Sequence, residues 1–336
     1  MRTLILESPS HPKSLKLIEA PLPEPKTGEV RVKFSAMGLN RADLLFCQGR
    51  YFIKPEAGSR LGFEGAGLID KLGPDTEKFS LGDCVALCPM SFDVHTQGCF
   101  SDYGIYSQEA LILCPKEIDS QINAAIWMAY LTAWGGLVMA GNLSKGETVV
   151  VTAASNAVGI AAIQIANMLG AKVIATTTSE SKAESLLTLG AQQVFIQNQS
   201  TLEDSIYSYV KLVNDSTQGM GSDLVFDAVA GPMTHALVKA SKREGRIIIQ
   251  GMLDRKPMDI HAGVLMKRLL TLKGYTVDLL LSKPEQKKRA IDGILRGLEQ
   301  NKINPIIART FELDEFEHAF DYLKANSHVG KVIITT

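Results

Sequence analysis

The chain has 336 residues, 46% hydrophobic and 21% charged, with a formal net charge of −1. That length predicts about two domains, and the near-neutral balance gives no electrostatic reason to expect nucleic acid or an anionic membrane as partner. No apolar run reaches the roughly 20 residues that span a bilayer, and the N-terminal MRTLILESPSHPK has no signal-peptide core, so a cytoplasmic enzyme is the expectation.

Residues 2–7 (RTLILE) read as a first strand, and the Pro-rich residues 20–30 as an extended connector. Residues 30–39 (VRVKFSAMGL) alternate like a strand with one buried face. A short helical turn follows over 40–49, where Asn40 can cap and Leu44 and Leu45 face inward. Tyr51 lies in an irregular loop over 50–60. The glycine-rich 61–72 (LGFEGAGLIDKL) embeds Glu64, and Gly65 and Gly67 suggest a bulge or a close backbone approach. Residues 84–88 (CVALC) form another strand, His95 falls in a polar loop and reads as solvent-facing, and 100–106 with 110–113 close a β-rich region. The five cysteines, Cys47, Cys84, Cys88, Cys99 and Cys114, are odd in number and contain no C-x-x-C pair. They read as free thiols in a reducing compartment, with no metal site among them.

The character changes after Ile118. Residues 122–139 (INAAIWMAYLTAWGGLVM) predict a long helix rich in small residues, too short and too interrupted for a membrane span. Residues 146–182 then read as strand, tight turn, helix and strand. Val149, Val150 and Val151 are a β-branched run suited to a strand buried on both faces, and Gly170 stops the helix. Further strands at 194–196, 224–227 and 246–251 alternate with helices at 182–189, 202–213 and 234–241, which predicts a parallel, doubly wound α/β sheet. Residues 269–276 add an edge strand, 286–300 and 315–324 are helical, and the last strand (VGKVIIT) has no helix after it and can return to the β-rich domain.

A dinucleotide fingerprint G-x-G-x-x-G would fall on Ala154, Ser155, Asn156, Ala157, Val158 and Gly159. Only its third glycine survives, where helix must pack closely on strand. Taken alone, the stretch is either a pyrophosphate site at a helix N-terminus or a βαβ unit with no ligand.

Segments in fixed order along essentially the whole chain settle the comparison: GLNRADLLFCQGRY (38–51), GFEGAG (62–67), LGDCVAL (81–87), YLTAWGGL (130–137), VVVTAASNAVGIAAIQIANMLGAKVIAT (149–176), DLVFDAVAG (223–231), GRIIIQG (245–251) and VGKVII (329–334). The chain resembles the medium-chain dehydrogenase/reductase superfamily, in its zinc-free quinone oxidoreductase-like, zeta-crystallin-like branch. The resemblance implies a Rossmann doubly wound parallel sheet over 122–276, inserted into a β-rich GroES-like catalytic domain made of 1–121 and 277–336.

Zinc-dependent relatives carry Cys and His where this chain has Asn40 and Phe63. An amide and a phenyl ring cannot complete a three-ligand catalytic zinc site, so no metal is expected. An NAD-selective site ends its second strand with an acid on the ribose 2′-hydroxyl; here that position is Thr177, followed by Thr178, Ser179 and Lys182. NADPH is therefore the expected cofactor, with Lys182 either facing a 2′-phosphate or standing as a solvated lysine at a helix start. By resemblance, Asn40 and Thr132 line the nicotinamide end, residues 154–159 cradle the pyrophosphate, and Val229, Gly251 and Tyr275 flank the cofactor. Asn40 and Tyr51 are the candidate catalytic contacts to a small quinone or enone, with Tyr51 alternatively a packing residue of its loop. The implied activity is NADPH-dependent reduction of quinones or α,β-unsaturated carbonyls. The competing reading is a cofactor-binding structural or regulatory protein with little turnover. A homodimer through the edge strand 269–276 completes the expectations.

Overall fold

A computed structural model describes residues 1–9 and 14–336; residues 10–13, the end of the N-terminal stretch read above, lie outside it. Contacts divide the chain into two units, Met1–Met128 with Pro305–Thr336, and Ala129–Asn304.

The first unit is β-rich. Its strands are β1 (Arg2–Leu6), β2 (Leu15–Glu19), β3 (Glu29–Leu39), β4 (Ser59–Arg60), β5 (Gly65–Leu72), β6 (Cys84–Leu87), β7 (Tyr103–Ser107) and β8 (Leu111–Leu113), with short helices α1 (Arg41–Cys47) and α2 (Val94–Gln97) between them. A small antiparallel sheet runs β2-β1-β4. The long strand β3 organises the larger sheet, pairing with both β5 and β7. Val30, Val32, Phe34 and Ala36 on one face are all nearly inaccessible, as the alternation of a half-buried strand requires, and from Ala36 to Leu39 both faces are buried. Helix α3 (Ser120–Trp134) follows and continues as a π-helical segment, Gly135–Ala140. This continuous 21-residue helix is longer than the sequence suggested and is long and apolar enough to cross a bilayer, so shortness does not exclude a span; 83% of its most apolar window is buried in the protein, which accounts for its composition.

The second unit contains β9 (Thr148–Val151), α4 (Ala157–Met168), β10 (Lys172–Thr177), α5 (Ala183–Thr188), β11 (Gln193–Ile196), α6 (Leu202–Ser216), β12 (Ser222–Asp227), α7 (Thr234–Ala240), β13 (Ser241–Ile249), α8 (Ala262–Arg268), β14 (Thr271–Gly274), α9 (Asp278–Leu281) and α10 (Pro284–Glu299). All strands are parallel, in the order β11-β10-β9-β12-β13-β14. The chain winds outward in one direction from β9 and in the other from β12, so the strand order reverses between those two, and the carboxyl ends there are where open α/β sheets bind ligands. Val149, Val150 and Val151 are inaccessible, as expected of a strand covered on both faces.

Residues 277–304 belong to this unit and not, as the sequence reading had it, to the β-rich one. The reason is packing. A Cβ on Gly135 would collide with the Tyr275 hydroxyl and lie 3.1 Å from Leu280 Cβ, a Cβ on Gly293 of α10 would strike the Trp134 ring, and Gly297 faces Ile303 and Met168. The chain then returns to the first unit as β15 (Ile307–Glu312), α11 (Phe316–Ala325) and β16 (Lys331–Thr335). Strand β16 pairs antiparallel with β3, Val332 opposite Leu39, as the missing final helix suggested.

Candidate active site

The nucleotide end of the second unit is built on the turn from β9 to α4. Ala154 N donates to Thr176 O (2.9 Å) and so ties the turn to β10. Ala153, just before it, is forced to φ 47°, a left-handed conformation unusual for a residue with a side chain. Asn156 is the N-cap of α4, and its side-chain oxygen accepts from Gly159 N (2.8 Å). The first intrahelical bond is Ile160 N to Asn156 O (2.9 Å), which leaves the N–H groups of Ala157 and Val158 ahead of it. Asn156 thus caps the helix and takes one donor from the anion-binding set. At Gly159 a Cβ would fall 2.6 Å from Ala154 Cα and from its carbonyl oxygen. The retained glycine is therefore a steric requirement for bringing the helix against the turn.

At the next strand end, Thr177 is buried and its hydroxyl accepts from Ser179 N (3.2 Å), while Ser179 and Ser181 share a hydrogen bond of 2.8 Å. No carboxylate stands at the position of a ribose-binding acid. Lys182 is only 5% exposed, and burial lowers its pKa from the usual lysine value, so it is not the solvated helix-start lysine that the sequence left open. Val229 and Gly251 lie at the carboxyl ends of β12 and β13, where a Cβ on Gly251 would sit 2.8 Å from Ala228 O. Thr132 is part-buried on α3. Tyr275 departs from the expectation. Its ring is buried, its hydroxyl points at Gly135 and finds no hydrogen-bond partner, and burial raises its pKa. The side chain packs in the core of the unit, against Gly135.

In the first unit the residues at the zinc-ligand positions carry other duties. Asn40 Oδ1 accepts from Lys331 Nζ (2.5 Å), and its Nδ2 donates to Gly38 O (2.9 Å) and Glu64 Oε2 (3.3 Å). Both amide hydrogens and the amide oxygen are thereby engaged within the protein at the residue expected to contact nicotinamide and substrate. Glu64 is inaccessible; Oε2 pairs with Lys331, itself 2% exposed, and Oε1 accepts from Met128 N (2.9 Å). Gly38 makes room for this pair, since a Cβ there would lie 2.7 Å from Lys331 Cε and 2.9 Å from Glu64 Oε2. Arg60 donates to Ser101 Oγ (2.5 Å), and the cation that meets Glu64 comes from β16. Asp43 accepts from Asn40 N (2.8 Å) with one oxygen, its other oxygen is buried without a hydrogen bond, and burial pushes its pKa up to about 7.

Phe63, at the other ligand position, is packed edge-on to Phe46 (5.9 Å) and tilted against Tyr51 (5.4 Å). Tyr51 also meets Phe52 (5.4 Å), and its hydroxyl approaches Met90 Sδ (3.9 Å). His95 is half-buried, against Phe46 (5.6 Å) and 2.9 Å from Ser59 Oγ, so it does not simply face solvent. Ser59 Oγ also accepts from Glu56 N (2.9 Å). All five cysteines are free and buried, and among the described residues no three His, Cys, Asp or Glu side chains gather as a metal site. Sequence reasoning missed Lys331, Asp43, Thr152 and Asp227. The one signal for Lys331 was a charge inside an otherwise apolar strand.

Comparison with known proteins agrees with this architecture. Residues 26–118 match the alcohol dehydrogenase GroES-like domain and residues 157–294 the zinc-binding dehydrogenase family. The chain is 30% identical over 314 residues to a quinone oxidoreductase-like protein 2 homolog of Nematostella vectensis, covering 92% of this chain and 82% of that one. It is 28% identical to the highly reducing polyketide synthase lcsB of Purpureocillium lilacinum, covering 91% of this chain and spanning only 12% of that relative's length. Among solved structures, an NAD-dependent alcohol dehydrogenase superposes with a TM-score of 0.88 at 28% identity over the whole of both chains. The quinone oxidoreductase of Escherichia coli, solved with NADPH, also gives 0.88, at 22% identity and full coverage of both. On these matches and on the paired GroES-like and Rossmann units, the chain belongs to the medium-chain dehydrogenase/reductase superfamily, in its quinone oxidoreductase-like branch.

Proposed function

We propose that the protein is an NADPH-dependent, zinc-independent oxidoreductase of quinones or α,β-unsaturated carbonyls. The observation that carries the proposal is the β9–α4 turn, where Gly159 permits close approach and the Ala157 and Val158 N–H groups lie ahead of the first helical bond. These donors, with Ser155, would hold the pyrophosphate. Thr177 stands where a ribose-binding acid would, and the Ser179 hydroxyl lies beside it, so this strand end, with Lys182 packed behind it, would accept a 2′-phosphate better than it would hold a bare ribose hydroxyl. NADPH supplies the hydride when bound.

The chain's own contribution is positioning and exclusion of water. Tyr51 and Phe52, backed by the buried Phe63 ring, offer aromatic surface suited to a flat conjugated substrate, and the Tyr51 hydroxyl is the candidate donor to the oxygen on which charge develops. Asn40 acts as a held scaffold. Zinc independence rests on donor chemistry: the Asn40 oxygen is taken by an ammonium, and a phenyl ring has no lone pair to give. A homodimer through the exposed edge strand β14, flanked by exposed Met266 and Leu269, belongs to the same proposal.

The test is reduced-nicotinamide consumption with a panel of quinones and enals, with and without a chelator. Turnover that persists in chelator, faster with NADPH than with NADH, is expected. Tight NADPH binding with no turnover on any of the panel would favour the regulatory reading, and zinc-dependent turnover would sink the metal-free one. Sedimentation at micromolar concentration checks the dimer; a monomer there would overturn it.

A further inference from the structure

At the point where the strand order reverses, the carboxyl ends of β9 and β12 are joined by a closed hydrogen-bond network. Thr152 Oγ1 donates to Asp227 Oδ1 (2.7 Å) and accepts from Ala228 N (2.8 Å). Asp227 Oδ1 also accepts from Val229 N (2.9 Å), and Oδ2 from Ala230 N (3.1 Å). Thr152 N donates to Phe226 O (3.1 Å), so backbone and side chain span the same gap. Asp227 is wholly inaccessible and Thr152 is 5% exposed. No polar atom of the Thr152 side chain or the Asp227 carboxylate is left over, which is how a buried polar network becomes rigid instead of costly.

Each strand end carries one strained residue. Ala153 follows Thr152 with φ 47°, and Ala230 lies three residues after Asp227 with φ 58°. Left-handed backbone at a residue with a Cβ costs of the order of 1 kcal/mol or more and persists only where neighbouring bonds over-determine it. The Asp227–Ala230 N bond supplies that constraint on one loop. On the other, Thr152 is fixed to β12 by its side chain and by Thr152 N to Phe226 O just before Ala153, and Ala154 N is fixed to Thr176 O just after it. Burial also raises the Asp227 pKa, opposed by these same donors.

We infer that Thr152 and Asp227 are positioning residues that lock the two loops at the strand-order reversal, residues 153–159 and 228–231, into the shape that receives the nicotinamide cofactor. The inference rests on the proposed cofactor site and adds to it a pair of residues that touch no ligand. Its content is a division of labour. The helix N-terminus and the strand-end loops make contact, while the Thr152–Asp227 bridge fixes their separation before the cofactor arrives. Preorganisation of this kind lowers the ordering cost of binding.

NADPH affinity, measured by fluorescence titration on the parent, Thr152→Val, Thr152→Ser and Asp227→Asn, tests this. Thr152→Val keeps the shape and removes the hydroxyl, and is expected to weaken NADPH about tenfold, the size of one buried hydrogen-bond network lost. Thr152→Ser restores the hydroxyl and should bind within about twofold of the parent on the same grounds. Asp227→Asn keeps one acceptor oxygen and loses the acceptor for Ala230 N; it is the gentler variant, expected to weaken binding about threefold, and it carries the test if the valine variant does not fold. In turnover assays KM for NADPH should rise while KM for the quinone stays put. Parent-like affinity in both Thr152→Val and Asp227→Asn overturns the inference while leaving the cofactor site standing, as does a serine variant as weak as the valine one. A parent that binds no nicotinamide cofactor overturns the site and the inference together.

Discussion

Glu64 and Asp227 are both completely buried carboxylates, and the two units neutralise them in opposite ways. Glu64 has a cation: Lys331 reaches it from β16, with Met128 N and the Asn40 amide completing its shell. Asp227 is satisfied by a hydroxyl and two backbone N–H groups, and no basic side chain among the described residues pairs with it. An ion pair ties side chains of three distant segments to one another and leaves the local backbone unstrained. A carboxylate fed by successive backbone N–H groups bends the backbone around itself, as Ala230 shows. The first arrangement holds a sheet together, and the second shapes a loop. Asp43, in the same unit as Glu64, has neither solution in full, and its pKa of about 7 records that.

Breaking the ion pair should have the largest effect. Lys331→Met leaves Glu64 buried and uncompensated, which is expected to cost about 3–5 kcal/mol of stability by chemical denaturation. Adding Glu64→Gln should recover part of that loss; a double variant no more stable than the single one would argue against the pairing. Next comes Asp43. Its pKa rises from 3.8 to about 7 on folding, so its protonated form is favoured in the folded state. The stabilisation is complete below pH 3.8 and is lost as pH climbs to about 7. Asp43→Asn should flatten the fall in unfolding free energy across that window relative to the parent, and parallel curves would contradict the assignment. In the second unit, Gly159→Ala places a methyl against the Ala154 backbone and should cost about 1–3 kcal/mol of stability, read as a lower thermal midpoint. The smallest effect is at the cap. Asn156→Ala should cost about 1 kcal/mol and Asn156→Gly only a few tenths. An alanine variant as stable as the parent would mean that the Asn156–Gly159 bond contributes nothing.

Much of this contrast was hidden in the sequence for a physical reason. Periodicity reports which faces are apolar, and so the strand over 149–151, the helix after it and the return of VGKVIIT to the β-rich unit were legible, though not its pairing with β3. Partnership between buried polar groups is a tertiary property. Lys331 and Glu64 lie 267 residues apart, and nothing local in either segment names the other. Thr152 and Asp227 each sit at the end of an apolar strand, where a polar residue reads as a loop beginning. Residues 277–304 were misassigned because α10 is amphipathic, which signals that it packs on something without saying on what. Tyr275 was placed beside the cofactor by resemblance, while the packing of its ring against Gly135 is a tertiary contact that no local pattern names.

The central claim is that the β9–α4 turn receives a nicotinamide cofactor, and a calorimetric titration with NADPH of the parent and of Gly159→Ala tests it most directly. The account expects one NADPH bound per parent chain and an affinity at least about tenfold weaker in the alanine variant, whose methyl pushes the helix N-terminus off the turn. A parent that gives no binding heat and no fluorescence change, or a variant that binds as tightly as the parent, would contradict it.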